Sequence, residues 1–258
     1  MLSRHRPAGS VRILAGQVTG VRRSRRFIRS LALPMTLSIG LSLTACGGGS
    51  AEEEQPPADP NAEAATRLQE AQPTSVRDAT LLPEGSESGT YSELATVQYS
   101  EQVRESTEID KPECVDAANR WGDLDGVRGA PASVAAYEWP EGSVSSMLVE
   151  VDEETAVEAM AVEPPGSCES YNATYADGTS SEYGVRDLDM PEMGDGSRAF
   201  LIEVRTGEEE SRMLSVMYRN GTLLGMTSIL GGGDEADYEE MLTAFTEAAI
   251  DRQDQMLG

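Results

Sequence analysis

Leu214-Ser215-Val216-Met217-Tyr218-Arg219-Asn220-Gly221-Thr222-Leu223-Leu224-Gly225-Met226-Thr227-Ser228-Ile229-Leu230 reads as two strands joined by a tight turn. Leu214, Val216 and Tyr218 recur at every second position, the period of a strand with one apolar face. Asn220-Gly221 follows at once, and both residues tolerate the positive φ that a type I′ hairpin turn demands. An antiparallel pair therefore anchors the reading of this chain, and its neighbours extend it.

Moving towards the N-terminus, Phe200, Ile202 and Val204 alternate in another strand. The stretches 169–175 and 182–188 flank Ala176-Asp177-Gly178-Thr179, a hairpin signal. Ala135, Tyr137 and Trp139 alternate before the turn Pro140-Glu141-Gly142-Ser143, and Met147, Val149 and Val151 alternate after it. The alternation of Ala95, Val97 and Tyr99 predicts one more strand over 94–103.

Three helices are signalled. Asp110 can cap the first, with Glu113 completing a capping box and Pro112 in the first turn. Cys114, Ala117, Ala118 and Trp121 then share one apolar face. Asp152 can cap a second, short helix with Ala156, Val157, Met160 and Ala161 inward, stopped by Pro164-Pro165-Gly166 just before Cys168. The third runs from Glu235 to about Met256, with Asp234 as cap and Tyr238, Met241, Leu242, Phe245, Ala248 and Ala249 as its buried stripe. Strand-rich segments, short links and helices at fixed points predict an α+β fold: a twisted antiparallel sheet with flanking helices, over residues 76–258.

Ahead of this domain the chain changes character. Arg22, Arg23, Arg25, Arg26 and Arg29 precede an apolar run from Leu31 to Leu43, which ends in Thr44-Ala45-Cys46. Basic, then apolar, then small residues is an export signal. The run is too short to span a membrane, which takes about 20 apolar residues. Leu43-Thr44-Ala45-Cys46 resembles the bacterial lipobox, where a peptidase cuts before the cysteine and its thiol carries diacylglycerol. That reading makes 1–45 a signal peptide, Cys46 the lipidation site, and the membrane a partner through that lipid. The location that follows is the extracytoplasmic face of the cell membrane. Residues 46–75, with Gly47-Gly48-Gly49, Glu52-Glu53-Glu54, Pro56, Pro57 and Pro60, are expected to be a disordered acidic tether in which 62–71 forms at most a transient helix.

Eight of the 20 basic residues and none of the 45 acidic ones precede Cys46, so the chain after it carries a formal net charge of −33. Such a charge repels nucleic acid and anionic head groups, and it suits a solvated acidic surface in high salt. His5 is the single histidine, and it lies in the leader. Histidine-based acid–base work, Ser-His-Asp triads and most zinc sites are thereby excluded downstream, and no cofactor is expected.

Beyond Cys46 only Cys114 and Cys168 remain, one pair for an oxidising compartment. Two reduced cysteines packed as small apolar residues are the alternative. A cation is weakly suggested by the acidic loop holding Asp187, Asp189, Glu192 and Asp195. Asp123-Leu124-Asp125-Gly126 lacks the later ligands of a calcium loop.

Pro112-Glu113-Cys114 opening a helix, a strand pair, a short helix ending at Cys168, a strand with Leu214-Ser215-Val216 and a C-terminal helix form an order that resembles a known family. It is that of the extracellular sensor domains of PknH-type mycobacterial receptor kinases, also met in actinobacterial lipoproteins. The resemblance covers roughly 79–250. It implies a Cys114–Cys168 bridge, a twisted antiparallel sheet with packed helices, and the binding of an unidentified ligand in a cleft. A second, late disulfide of the family has no counterpart, since no cysteine follows Cys168, and Pro-Gly-Ser-Cys replaces the family's Trp-x-x-Cys. There is no kinase domain in this chain. The function expected is a non-enzymatic ligand-binding or sensor lipoprotein. Alternatives are a cell-wall glycan hydrolase with paired carboxylates and a pocketless structural partner protein.

Overall fold

The structure, a computed structural model, describes residues 59–116 and 118–258. Its centre is a ten-stranded sheet in which every neighbouring pair is antiparallel. The strands are β1 (Ser75–Val76), β2 (Ala79–Thr90), β3 (Glu108–Ile109), β4 (Pro131–Trp139), β5 (Gly142–Glu150), β6 (Ser170–Thr174), β7 (Ser180–Leu188), β8 (Gly196–Thr206), β9 (Glu209–Asn220) and β10 (Leu223–Gly231). Their order across the sheet is β1-β2-β4-β5-β10-β9-β8-β7-β6-β3. The α+β class read from the sequence is the class found.

Both faces of the sheet are covered. On one face α1 (Ala62–Glu70) and α5 (Glu235–Leu257) bury Leu68, Tyr238, Met241, Leu242 and Phe245 against Tyr137, Trp139, Leu148, Leu214, Val216 and Tyr218. On the other, α2 (Ala95–Glu105), α3 (Asp125–Arg128) and α4 (Glu153–Ala161) bring Val97, Val127, Ala156 and Ala159 onto Val134, Met147, Val149, Phe200 and Met217. Successive side chains of a strand point to opposite faces. Residues 134 and 135, or 148 and 149, therefore serve different cores.

The opening hairpin forms with a shifted turn. Asn220 pairs with Leu223, so the two-residue loop is Gly221-Thr222. Gly221 has φ +62°, while Asn220 is not among the positive-φ residues. Glycine at the first loop position is the pattern of a type II′ turn rather than the expected I′. Tyr218 explains the glycine at 225, its cross-strand partner. A β-carbon there would overlap the tyrosine ring.

Four further expectations are corrected. The stretch 94–103 is not a strand: Leu94 is the N-cap of α2, and 95–103 lie in the helix. Val97 is buried and Tyr99 exposed, and the helix start is satisfied from outside the segment: Glu87 accepts from the backbone N–H groups of Ala95 (2.6 Å) and Thr96 (2.8 Å). The capped helix expected after Asp110 is absent. Pro112–Cys114 and Trp121–Asp123 are 3-10 turns, Asp116 between them has φ +53°, and the Asp110 carboxylate is used elsewhere. The short helix α4 is capped as expected, Asp152 accepting from Thr155 N–H at 2.8 Å. Its inward residues are Ala156, Ala159 and Met160, while Val157 and Ala161 are exposed.

The fourth correction concerns the tether, which was expected to run to residue 75. Chain from 59 onward belongs to the folded body. Ala65 and Leu68 of α1 are buried, and Asn61 donates to Thr90 Oγ1 and the Gly129 carbonyl, both at 2.9 Å. The leader, Cys46 and the proximal part of the tether lie outside the described residues.

Candidate functional site

The segment 108–114 and the segment 166–174 are zipped together by contacts of several kinds. Glu108 and Ile109 pair with Thr174 and Ala173. Asp110 then takes two hydrogen bonds from Asn172, one from its N–H and one from its Nδ2, both at 2.8 Å. These donors, the side chain first, hold the Asp110 carboxyl below its ordinary value. Lys111, the only lysine of the chain, donates to the Ser167 carbonyl at 2.8 Å and to that of Ser170. Ser167 Oγ donates to Glu113 at 3.1 Å. The zipper ends in the Cys114–Cys168 disulfide, with Cα atoms 5.3 Å apart and both cysteines buried. The pairing implied by the family resemblance is the one found.

The ring of Tyr171 packs against the bridge. It also stacks on Tyr183, its cross-strand partner, at 4.9 Å between centroids and 3° between planes. Tyr183 in turn shares a hydroxyl–hydroxyl hydrogen bond with Tyr175. Burial first, then Asp116, pushes the Tyr171 hydroxyl up to about 12. Asp116 itself bonds Arg104 at 2.6 Å, and its carboxyl is raised, mainly by burial. The Asp116–Arg104 pair thus links α2 to this region.

Beside the disulfide runs an open groove of about 440 Å³. Pro164, Pro165 and Cys168 form one wall and Val185, Arg186 and Asp187 the other. Arg186 is already paired with Glu235 at the start of α5. Close by in the chain fold, Arg198 carries no carboxylate partner among the described residues. It donates to the carbonyls of Ala118 and Val162, the latter at 3.4 Å, and lies over Phe200 at 5.7 Å. The guanidinium thus satisfies an orphan carbonyl at the end of α4, and burial lowers its pKa.

The weak cation candidates are dispersed. Asp187 lines the groove. Asp189 lines a different one, with Arg77 and Glu240. Asp195 accepts from Gly221 N–H at 2.8 Å and faces Arg219 at 3.4 Å, so it holds the β9–β10 turn. Among the described residues no three Asp, Glu, Cys or His side chains converge as metal ligands. Nor is any described helix long and apolar enough to cross a membrane. What the sequence did not reveal is the role of Asp110, Lys111 and Asn172. Their partners lie more than fifty residues away, and nothing local marks them.

No family model matches the chain, and no curated protein matches it. Among solved structures it is similar to the extracellular domain of PknH from Mycobacterium tuberculosis. That match has 8% identity and a TM-score of 0.41, over 56% of this chain and 78% of the other. It is also similar to a putative uncharacterized protein, the Rv0999 ortholog, from Mycobacterium smegmatis. Here identity is 12% and the TM-score 0.45, over 75% of this chain and 100% of the other. The resemblance to a PknH-type sensor domain read from the sequence is thus met in the solved structures.

Proposed function

We propose that the chain is a lipoprotein on the extracytoplasmic face of the cell membrane, anchored by lipid on Cys46, whose folded body is a non-enzymatic ligand-binding or sensor domain. The observation that carries this reading is the buried Cys114–Cys168 bridge. Disulfides of this kind persist in oxidising compartments, which is where an export leader ending in Leu43-Thr44-Ala45-Cys46 would deliver the chain. The groove beside the bridge supplies a place for an envelope molecule or small ligand. Cys168 in its wall is tied to Cys114 by the disulfide, which supports a groove already shaped before a ligand arrives.

The anchor is tested by expressing Cys46→Ala in an actinobacterial host. An unprocessed or released product is expected, and a variant that matures and sediments with membranes like the wild type would remove the anchor. The ligand is tested by mass spectrometry of molecules co-purifying with the mature protein. Val185→Arg, which fills the groove, should lose whatever is retained; equal retention would place binding elsewhere.

A further inference from the structure

Of the four asparagines, Asn61, Asn119, Asn172 and Asn220, only Asn220 is followed by glycine. Asparagine is a thermolabile side chain. It is most labile before glycine, whose missing β-carbon leaves the next backbone nitrogen open to the carboxamide. The reaction is a cyclisation. The Gly221 nitrogen attacks Cγ of Asn220, the Cγ–Nδ2 bond breaks, and the Gly221 proton leaves with the amide as ammonia. Water then opens the succinimide to an aspartyl or isoaspartyl residue.

Both reacting groups are engaged in this fold. The Gly221 N–H donates to Asp195 Oδ2 at 2.8 Å. A carboxylate is far too weak a base to take an amide proton, and its negative charge disfavours loss of that proton. Asn220 Nδ2 donates to Asp254 Oδ1 at 2.9 Å and to Gln253 Oε1 at 3.4 Å, both on α5. The main chain of Asn220 is fixed as well, by its pairing with Leu223 at the end of the hairpin. Cyclisation needs the reacting atoms aligned at about 3–3.5 Å, and so a carboxamide that is free to turn.

Asp195 is itself held in place. Its N–H donates to the Arg219 carbonyl at 2.7 Å, and its carboxylate faces the Arg219 guanidinium at 3.4 Å. Gly194 beside it has φ +63°, and a β-carbon there would overlap that same carbonyl. Solvent nevertheless reaches the turn. Asn220, Gly221, Gln253 and Asp254 line an open groove of about 430 Å³, and Gly221 is exposed. Geometry, not lack of water, is what withholds the reaction.

We propose that Asn220 is a latched modification site, kept amidated in the folded protein by Asp195, Asp254 and Gln253, and converted to aspartyl and isoaspartyl forms once that latch opens. Conversion replaces a donor by a carboxylate facing Asp254, at the C-terminal end of a helix where negative charge is unfavourable. Gln253 also holds Tyr218 OH through its Nε2 at 2.7 Å, so the change reaches a bond that docks α5 on the sheet.

Peptide mapping by mass spectrometry tests this on the mature protein, aged at neutral pH with and without urea. In urea, Asn220 should convert as a free Asn-Gly sequence does. Folded, it should convert at least about tenfold more slowly, the factor that one charge-assisted hydrogen bond supplies. Asp195→Ala and Asp254→Ala, with the fold intact by circular dichroism, should convert several-fold faster than the folded wild type. Equal rates for folded and unfolded wild type would overturn the proposal, as would folded variants that age no faster than the parent. The two variants free different reacting groups, so either one that folds decides the question.

Discussion

The ring of Tyr218 occupies the place where a side chain of Gly225 would stand. The two are cross-strand partners at the centre of the sheet, and the tyrosine hydroxyl is held by Gln253 of α5 at 2.7 Å. Any β-carbon at 225 must displace a ring that is wholly buried. Gly225→Ala should therefore destabilise the protein by about 1–3 kcal/mol, the usual cost of overpacking a core. Urea unfolding measures it, and an unchanged midpoint would show that the ring can move aside.

The disulfide closes a loop spanning a sequence separation of 54. In the chain-entropy picture this stabilises by roughly 4 kcal/mol. The double variant Cys114→Ser/Cys168→Ser should melt about 10 °C lower, given about 2–4 °C per kcal/mol for a body of this size. Thermal melts followed by circular dichroism test this. Melts that coincide would mean the zipper of Asp110, Lys111 and Glu113 holds the two segments without the bridge.

Acid should loosen that zipper from the Asp110 side. Asn172 donates twice to the carboxylate and depresses its pKa from the ordinary 3.8. A group depressed in the folded state contributes stability that is present above its unfolded value and lost as the pH falls through its folded value. Protection of the β3–β6 amides should thus persist at pH 4–5 and fall away only below the ordinary 3.8. In Asn172→Ala, which keeps the main-chain donor but removes the side-chain one, the loss should begin at higher pH. Hydrogen exchange at a series of pH values reads this directly; identical profiles would show that the amide does not hold the carboxylate.

Salt should raise the melting temperature. After Cys46 the formal charge is −33, and many arginines are already engaged, as in Arg77–Glu240 at 2.9 Å and Arg128–Glu101 at 2.7 Å. The surplus carboxylates repel one another over distances that ionic strength screens within about 10 Å at 0.1 M. Melts from low salt to molar NaCl should rise, and a flat or falling trend would show that the surface acids are too dispersed for mutual repulsion to matter.

Elements whose signals are local were legible in the sequence. Strands β4 to β10 show in their alternation and turns, and α4 in its Asp152 cap. Long-range partners were not. Helix α2 looks like a strand because Val97 and Tyr99 alternate with polar residues, and its N-terminal donors are met by Glu87, eight residues back on another strand. Asp110 reads as a helix cap, but Asn172 claims its carboxylate. Strand β2, next to the short edge strand β1, is hidden by its own irregularity, a register shift between Leu82 and Glu87 around Pro83. Such bulges blunt edges and erase the period of two. At the candidate site the two cysteines could be paired by counting, whereas Lys111 and Asn172 act through contacts over fifty residues long.

The order of the strands also bears on how fast this chain can fold. Towards one edge lie β4, β2 and β1, towards the other β9, β8, β7, β6 and β3, and the two halves meet where β5 pairs with β10. That seam joins Met147 to Met226, about eighty residues apart. The pairs β4–β5, β6–β7, β8–β9 and β9–β10 are local hairpins, but the seam needs the closure of a long loop before either core can be sealed. Contacts of such sequence separation slow folding more than size does. Assembly of the seam is therefore among the slow steps expected of this topology, and until it closes both halves expose an open strand edge.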